Sequence, residues 1–440
     1  MIIEINRDTI AGIKNKYFAA DALRYVRIYE DFQDGIRELG MEIDEQDHET
    51  EKDNRIEVLR RKGASVRNSN KSIYINSISP ACLACKTGSG SQTVFISLQC
   101  NRNCYFCSNR NQENYDYYVK NKRDYIAEIN SAHALYGSLK SVGLTGGEPL
   151  LFFEDTVRFF NYVKGISPNA YTRIYTNGDF IDKSALDKLK AVSLDEIRFS
   201  IKIDDSFNDK EIYDKLALSK EYIPNVIVEM PVIPGTMDIM KDIMSELDRI
   251  GIFGMNLLEF LYPWNNAASY KGKGYKIKKH PYRVLYNYTY SGGLPISKSE
   301  LQCLELLEYC MDKGMKIGVH YCSLENKLTS QVYHQNFDLK KTRTEHFSKK
   351  DYFIKTAKIY GEDKNKAISV FRKIKYDGYK SNEEGNYVEF HVDKIAALDK
   401  PDMEVAIASS IVDSDGCRRF LRELKIDLTY PGIFNLETDV

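Results

Sequence analysis

Gln99-Cys100-Asn101-Arg102-Asn103-Cys104-Tyr105-Phe106-Cys107 places three cysteines in a C-x3-C-x2-C spacing. The number of thiols is what decides the reading. Three thiolates on one tight loop can hold three irons of a cubane 4Fe–4S cluster and leave the fourth iron open. An open iron can take a ligand, so such a cluster is a reagent and not only an electron relay. The spacing alone also fits a zinc knuckle. Directly before the triplet, Val94-Phe95-Ile96-Ser97-Leu98 reads as a buried strand. Further along comes Gly143-Leu144-Thr145-Gly146-Gly147-Glu148-Pro149-Leu150.

With that strand before it, Phe106 before the last cysteine and the Gly-Gly-Glu-Pro run after it, the sequence resembles the radical S-adenosylmethionine (SAM) superfamily. The resemblance is specific from Val94 to Asn177 and looser to Cys322. It implies a 4Fe–4S cluster on Cys100, Cys104 and Cys107, with SAM on the open iron. It places Gly146, Gly147, Glu148 and Pro149 at SAM's amino group, Asn177 in the SAM pocket, Ser200 and Lys202 near the ribose, and Glu229–Pro234 near the adenine. One electron then cleaves SAM, and a 5′-deoxyadenosyl radical abstracts hydrogen from the substrate. No catalytic residue beyond the cluster is assigned. The electron comes from a low-potential donor such as ferredoxin or flavodoxin.

Each assignment has a structural alternative. Gly146 and Gly147 would let backbone approach the ligand without a Cβ, and Glu148 would either contact SAM or brace its loop. Asn177 and Ser200 fit turn and strand-end roles as well. Glu229 and Lys202 could form an ion pair.

The 440 residues can bury two or three domains. A net charge of −1 gives no argument for nucleic acid as partner. No apolar run is long enough to span a membrane, and the N-terminus has no secretory pattern. Nine cysteines in such a chain read as metal ligands and core thiols. A cytoplasmic, anaerobic setting is expected.

The pattern along the chain predicts an N-terminal helical extension over 1–75, an α/β partial (β/α)6 barrel over 76–330, and a small α+β domain over 335–440. The first segment should be helical over Thr9–Gly40, with a second helix before Gly63. Strands are expected at Val94–Leu98, Ser141–Thr145, Thr172–Thr176, Glu196–Ile201, Val226–Val232 and Met255–Phe260, with a last one at Met315–Tyr321. Helices between them force parallel pairing, so the functional groups should gather at the strands' C-terminal ends. Ser297 and Glu300 suggest a capping box. In the last domain, strands are expected at Ile354–Tyr360, Tyr387–Val392 and Glu404–Ala408, with helices near Lys364–Ile374 and Gly416–Leu424. The basic run Lys271–Arg283 reads as a solvated loop.

Cys82-Leu83-Ala84-Cys85 is half of a metal site on a Gly/Ser-rich approach. Cys322, ending the last strand, is its best third ligand. Together with Ser79-Pro80-Ala81 and His320-Tyr321-Cys322-Ser323, this is similar to uncharacterised proteins related to archaeal-type pyruvate formate-lyase-activating enzymes. That resemblance implies an auxiliary 4Fe–4S cluster at Cys82, Cys85 and Cys322, at both ends of the barrel segment. Zinc and free thiols are the alternatives; His320 could be a further ligand but reads first as a core or hydrogen-bonded histidine. Cys303 and Cys310, seven apart among leucines, read as core. The favoured substrate is a peptide or protein. The alternatives are activation of a glycyl-radical enzyme and radical chemistry on a small metabolite.

Overall fold

The computed structural model describes residues 1–203, 209–281 and 293–440. They fall into two units, Met1–Leu39 with Leu328–Val440, and Gly40–Pro281 with 293–327. The expected 1–75 extension is therefore divided: residues 40–75 belong with the barrel and contribute two of its strands.

The larger unit is built on nine strands. In chain order they are Ser65–Arg67 (β1), Ser72–Ile75 (β2), Ser91–Phe95 (β3), Ser141–Thr145 (β4), Tyr171–Thr176 (β5), Glu196–Phe199 (β6), Asn225–Val232 (β7), Gly254–Glu259 (β8) and Gly318–Cys322 (β9). Their order in the sheet is β1-β2-β9-β8-β7-β6-β5-β4-β3. From β3 to β9 every pairing is parallel, while β1 and β2 add an antiparallel hairpin at one edge. The two edge strands do not pair with each other, so the barrel stays open. Crossover helices make the parallel order possible. In Met237–Ile250, the residues Met240, Ile243, Met244 and Leu247 recur at helical spacing and are all buried. Each such side chain contributes about 1.5–3 kcal/mol by leaving water. They join Ile174, Ile197, Val228 and Leu257 of the sheet in one core.

Three local expectations are corrected. The first parallel strand ends at Phe95, not Leu98. Beyond it the backbone turns to other partners: Ile96 O accepts from Arg123 N, and Leu98 N donates to Tyr118 O. The capping box does not form. Lys298 is the N-cap of Ser299–Lys313, while Ser297 Oγ donates to Asp44 and Glu300 pairs with Lys278. The first helix spans Lys16–Glu38, with Asn15 as its cap.

In the smaller unit, Ile354–Tyr360 (β10), Lys380–Asn382 (β11), Tyr387–Phe390 (β12), Val405–Ser414 (β13) and Arg419–Thr429 (β14) form an antiparallel sheet in the order β11-β12-β10-β13-β14. One face carries Lys16–Glu38 through Phe18, Ala22 and Val26; the other carries Asp363–Lys373 through Ala367 and Phe371. The helix expected near Gly416–Leu424 is strand β14. Asp415-Gly416 turns a hairpin there, with Gly416 at φ 86° and the amides of Cys417 and Arg418 bound to Asp415 Oδ1. Among the described residues no helix is long and apolar enough to cross a membrane.

Candidate active site

At the C-terminal ends of the parallel strands a cavity of about 310 Å³ is lined by Cys100, Cys104 and Cys107. Gly146, Gly147, Glu148, Asn177 and Ser200 line the same cavity. Pro149 is buried and opens the 3-10 turn Pro149–Phe152 beneath it. Among the described residues no three His, Cys, Asp or Glu side chains are already drawn together as metal ligands. The donor chemistry nevertheless fits a three-thiolate cluster, since the cavity wall holds three cysteines and no fourth.

The strand β4 end is tied to the cysteine loop by backbone. Gly147 N donates to Ser97 O at 3.1 Å, and Glu148 N donates to Gln99 O at 2.8 Å. A Cβ on Gly147 would lie 1.8 Å from Gln99 O, and one on Gly146 would lie 2.6 Å from Ser97 O. Gly146 also sits at φ 117°, a conformation suited to glycine. The glycines thus make room for the chain's own cysteine loop, and both still line the cavity.

Glu148 is a brace. Its Oε1 accepts from Thr176 Oγ1 at 2.8 Å and from Leu150 N at 3.1 Å, and its Oε2 accepts from Asn177 N at 2.7 Å. Burial holds its carboxyl above the usual range, against the pull of those donors. Asn177 continues the brace by donating Nδ2 to Asn101 Oδ1 at 2.8 Å, which links β5 to the cysteine loop. Ser200 accepts from Lys202 Nζ at 2.6 Å, and that ammonium lies 5.4 Å from the Phe106 ring centroid. Lys202 does not pair with Glu229; Glu229 takes Arg198 at 2.6 Å and Asn256 at 2.7 Å.

Cys82 and Cys85 lie on the short helix Pro80–Leu83 and the 3-10 turn Ala84–Lys86, not on an open loop. Ser79 caps that helix and donates to Glu196 at 2.6 Å. Burial pushes the Cys322 thiol up to about 12; Lys327 opposes this, and Cys85 and Cys82 add to it. His320 has both ring nitrogens engaged, Nε2 with Ser72 Oγ at 2.9 Å and Nδ1 with Asn256 Oδ1 at 3.2 Å. Cys303 and Cys310 are fully buried in the core. The basic run reaches the cysteine loop: Lys273 lies over the Tyr105 ring, and Tyr270, just before the run, meets that ring edge-on. Its last two residues, 282–283, lie outside the described residues.

Sequence reasoning missed the buried charges of the barrel interior. Arg198 is 4% exposed and bridges Glu196 at 2.5 Å and Glu229 at 2.6 Å. Residues two apart on a strand share a face, so Glu196 and Arg198 in an otherwise apolar strand were the available signal. Glu259, at the end of β8, also lines the cavity and accepts from Leu324 N at 2.8 Å. Burial and Glu300 push its carboxyl up to about 7, against Lys278.

Residues 94–247 match the family model of the radical SAM superfamily. Over 205 residues the chain is 33% identical to a Methanocaldococcus jannaschii protein whose name proposes a glycyl-radical enzyme activating enzyme. The match covers 45% of this chain and 54% of that protein, so the chain spans about half the length of this curated relative. Solved structures it is similar to include Streptococcus suis SuiB bound to precursor peptide SuiA, at 15% identity and TM-score 0.39, over 57% of this chain and 53% of that one. BtrN in complex with AdoMet and 2-DOIA matches at 24% identity and TM-score 0.25, over 32% and 56%.

Proposed function

We propose that this chain, whose residues 94–247 match the radical SAM family model, is an enzyme that cleaves SAM reductively and takes hydrogen from a peptide or protein. One observation carries the reading: Cys100, Cys104 and Cys107 share a cavity with Gly146, Gly147, Glu148, Asn177 and Ser200. When bound, the 4Fe–4S cluster and SAM supply a one-electron cleavage that releases a hydrogen-abstracting carbon radical.

The chain's own residues set the stage for that chemistry. Gly147 and Glu148 fix the cysteine loop by backbone bonds, and Asn177 ties the same loop to β5. The buried brace at Glu148 keeps the ends of β4 and β5 in one geometry, as a preorganised site requires. Lys202 is a cation in the wall for an anionic group of the ligand.

The name of the archaeal relative supports a polypeptide target, and it favours a second reading in which that target is a glycyl-radical enzyme. In either case we place a second 4Fe–4S site at Cys82, Cys85 and Cys322. A low-potential ferredoxin or flavodoxin supplies the electron, in a cytoplasm poor in oxygen.

The test is anaerobic incubation of iron-loaded protein with SAM, dithionite and a candidate polypeptide deuterated at carbon. Deuterium in 5′-deoxyadenosine is the expected outcome. No 5′-deoxyadenosine from fully loaded protein would overturn the reading, and cleavage that only a small metabolite labels would overturn the polypeptide substrate.

A further inference from the structure

The sulfurs of Cys82 and Cys322 are not left to the solvent. Arg198 spends Nε on Glu196 and Nη1 on Glu229, and aims Nη2 at Ser79 Oγ, 3.1 Å away, and at Cys82 Sγ, 3.4 Å away. Asn256 Nδ2 reaches the same sulfur at 3.7 Å. Its carbonyl end is held by His320 Nδ1, so the amide end must face the sulfur and Glu229. Asn326 Nδ2 lies 3.4 Å from Cys322 Sγ, while its Oδ1 accepts from Asn68 Nδ2 at 2.8 Å. Arg198, Asn256 and Asn326 are all buried.

A second observation concerns place. Arg198, Glu229 and Lys327 line the cavity that holds Cys100, Cys104 and Cys107, but Cys82, Cys85 and Cys322 do not. Cys82 meets that wall at Arg198, 3.4 Å from its Nη2.

Resting on the second-site reading above, we propose that Arg198, Asn256 and Asn326 are positioning residues of an iron–sulfur centre at Cys82, Cys85 and Cys322. Their N–H···S bonds raise its reduction potential, and the centre lies outside the reaction cavity. A hydrogen bond to a thiolate withdraws charge from the sulfur and so favours the reduced cluster. A guanidinium at the same sulfur acts in the same direction.

The experiment uses the full chain carrying C100A, C104A and C107A, reconstituted with iron and sulfide, so that iron can sit only at the second site. Iron and sulfide are counted and the midpoint potential is read by EPR-monitored titration. Retained iron that disappears on adding C82A and C85A is expected; no iron, or iron indifferent to those changes, would refute the second site itself. With the site present, Asn326→Leu and Arg198→Lys should keep the iron and lower the midpoint. Unchanged midpoints in both would refute the tuning claim while leaving the site standing. Asn326→Asp, which keeps the shape but replaces the donor, serves if the leucine variant does not fold, and it too must lower the midpoint. Zinc in place of iron, with no redox signal, would overturn the proposal.

Discussion

The Glu148 carboxylate accepts the backbone N–H of Asn177 at 2.7 Å, joining the end of β4 to the end of β5. With Thr176 Oγ1 and Leu150 N on the other oxygen, the side chain satisfies three donors in a buried place. Glu148→Ala strands those donors and should destabilise the fold by about 3 kcal/mol. Glu148→Gln keeps the shape and one acceptor and should lose less. Urea denaturation of both variants checks the order; equal, small losses would contradict the brace.

Gly147 tests the packing of the strand end on the cysteine loop. An added Cβ meets Gln99 O at 1.8 Å, and backbone cannot swing aside as a side chain can. Gly147→Ala should displace the loop at a cost of about 3 kcal/mol and lower the iron held by reconstituted protein. Full iron loading with unchanged stability would contradict it.

Glu259 gives a pH dependence whose sign follows from its surroundings. Its carboxyl is pushed up to about 7 from the ordinary 4.5 by burial first and Glu300 second. Below pH 4.5 it is protonated folded or unfolded and costs nothing. As pH rises from 4.5 to 7 the unfolded chain ionises first, so stability falls across that window and then levels off. Glu259→Gln removes the penalty. It should stabilise the protein above pH 7 by on the order of 3 kcal/mol and do little at pH 4.5, as read from melting at the two pH values. A gain at low pH only would contradict the assignment.

Cys303 and Cys310 separate core thiols from ligands. Cys303 Sγ lies 3.8 Å from Leu258 O, and Cys310 Sγ lies 4.0 Å from Met244 Sδ, both in the apolar core. The double alanine variant should lose about 2 kcal/mol of stability and no iron. Loss of iron would make one of them a ligand.

The barrel was legible because its signals are local. Apolar runs such as Val226–Val232 alternate with helical faces such as Met237–Ile250, and the chain order of those runs became the sheet order. Cys100, Cys104, Cys107 and the Gly-Gly-Glu-Pro run were legible for the same reason. The errors were of two physical kinds. At Gly416 a helical pattern competed with an Asp-Gly turn, and the turn won because β13 and β14 pair along their whole length. At Glu229 the ion-pair partner is Arg198 on the neighbouring strand and not Lys202, and no local pattern announces that pairing.

On the proposed function, Cys100, Cys104 and Cys107 make this chain a SAM-cleaving enzyme. The most direct measurement is 5′-deoxyadenosine formed from SAM under dithionite by iron-loaded wild type and by Cys104→Ala at equal folded concentration. Product is expected from the wild type and none above background from the variant. Product from both, or none from fully loaded wild type, would contradict it.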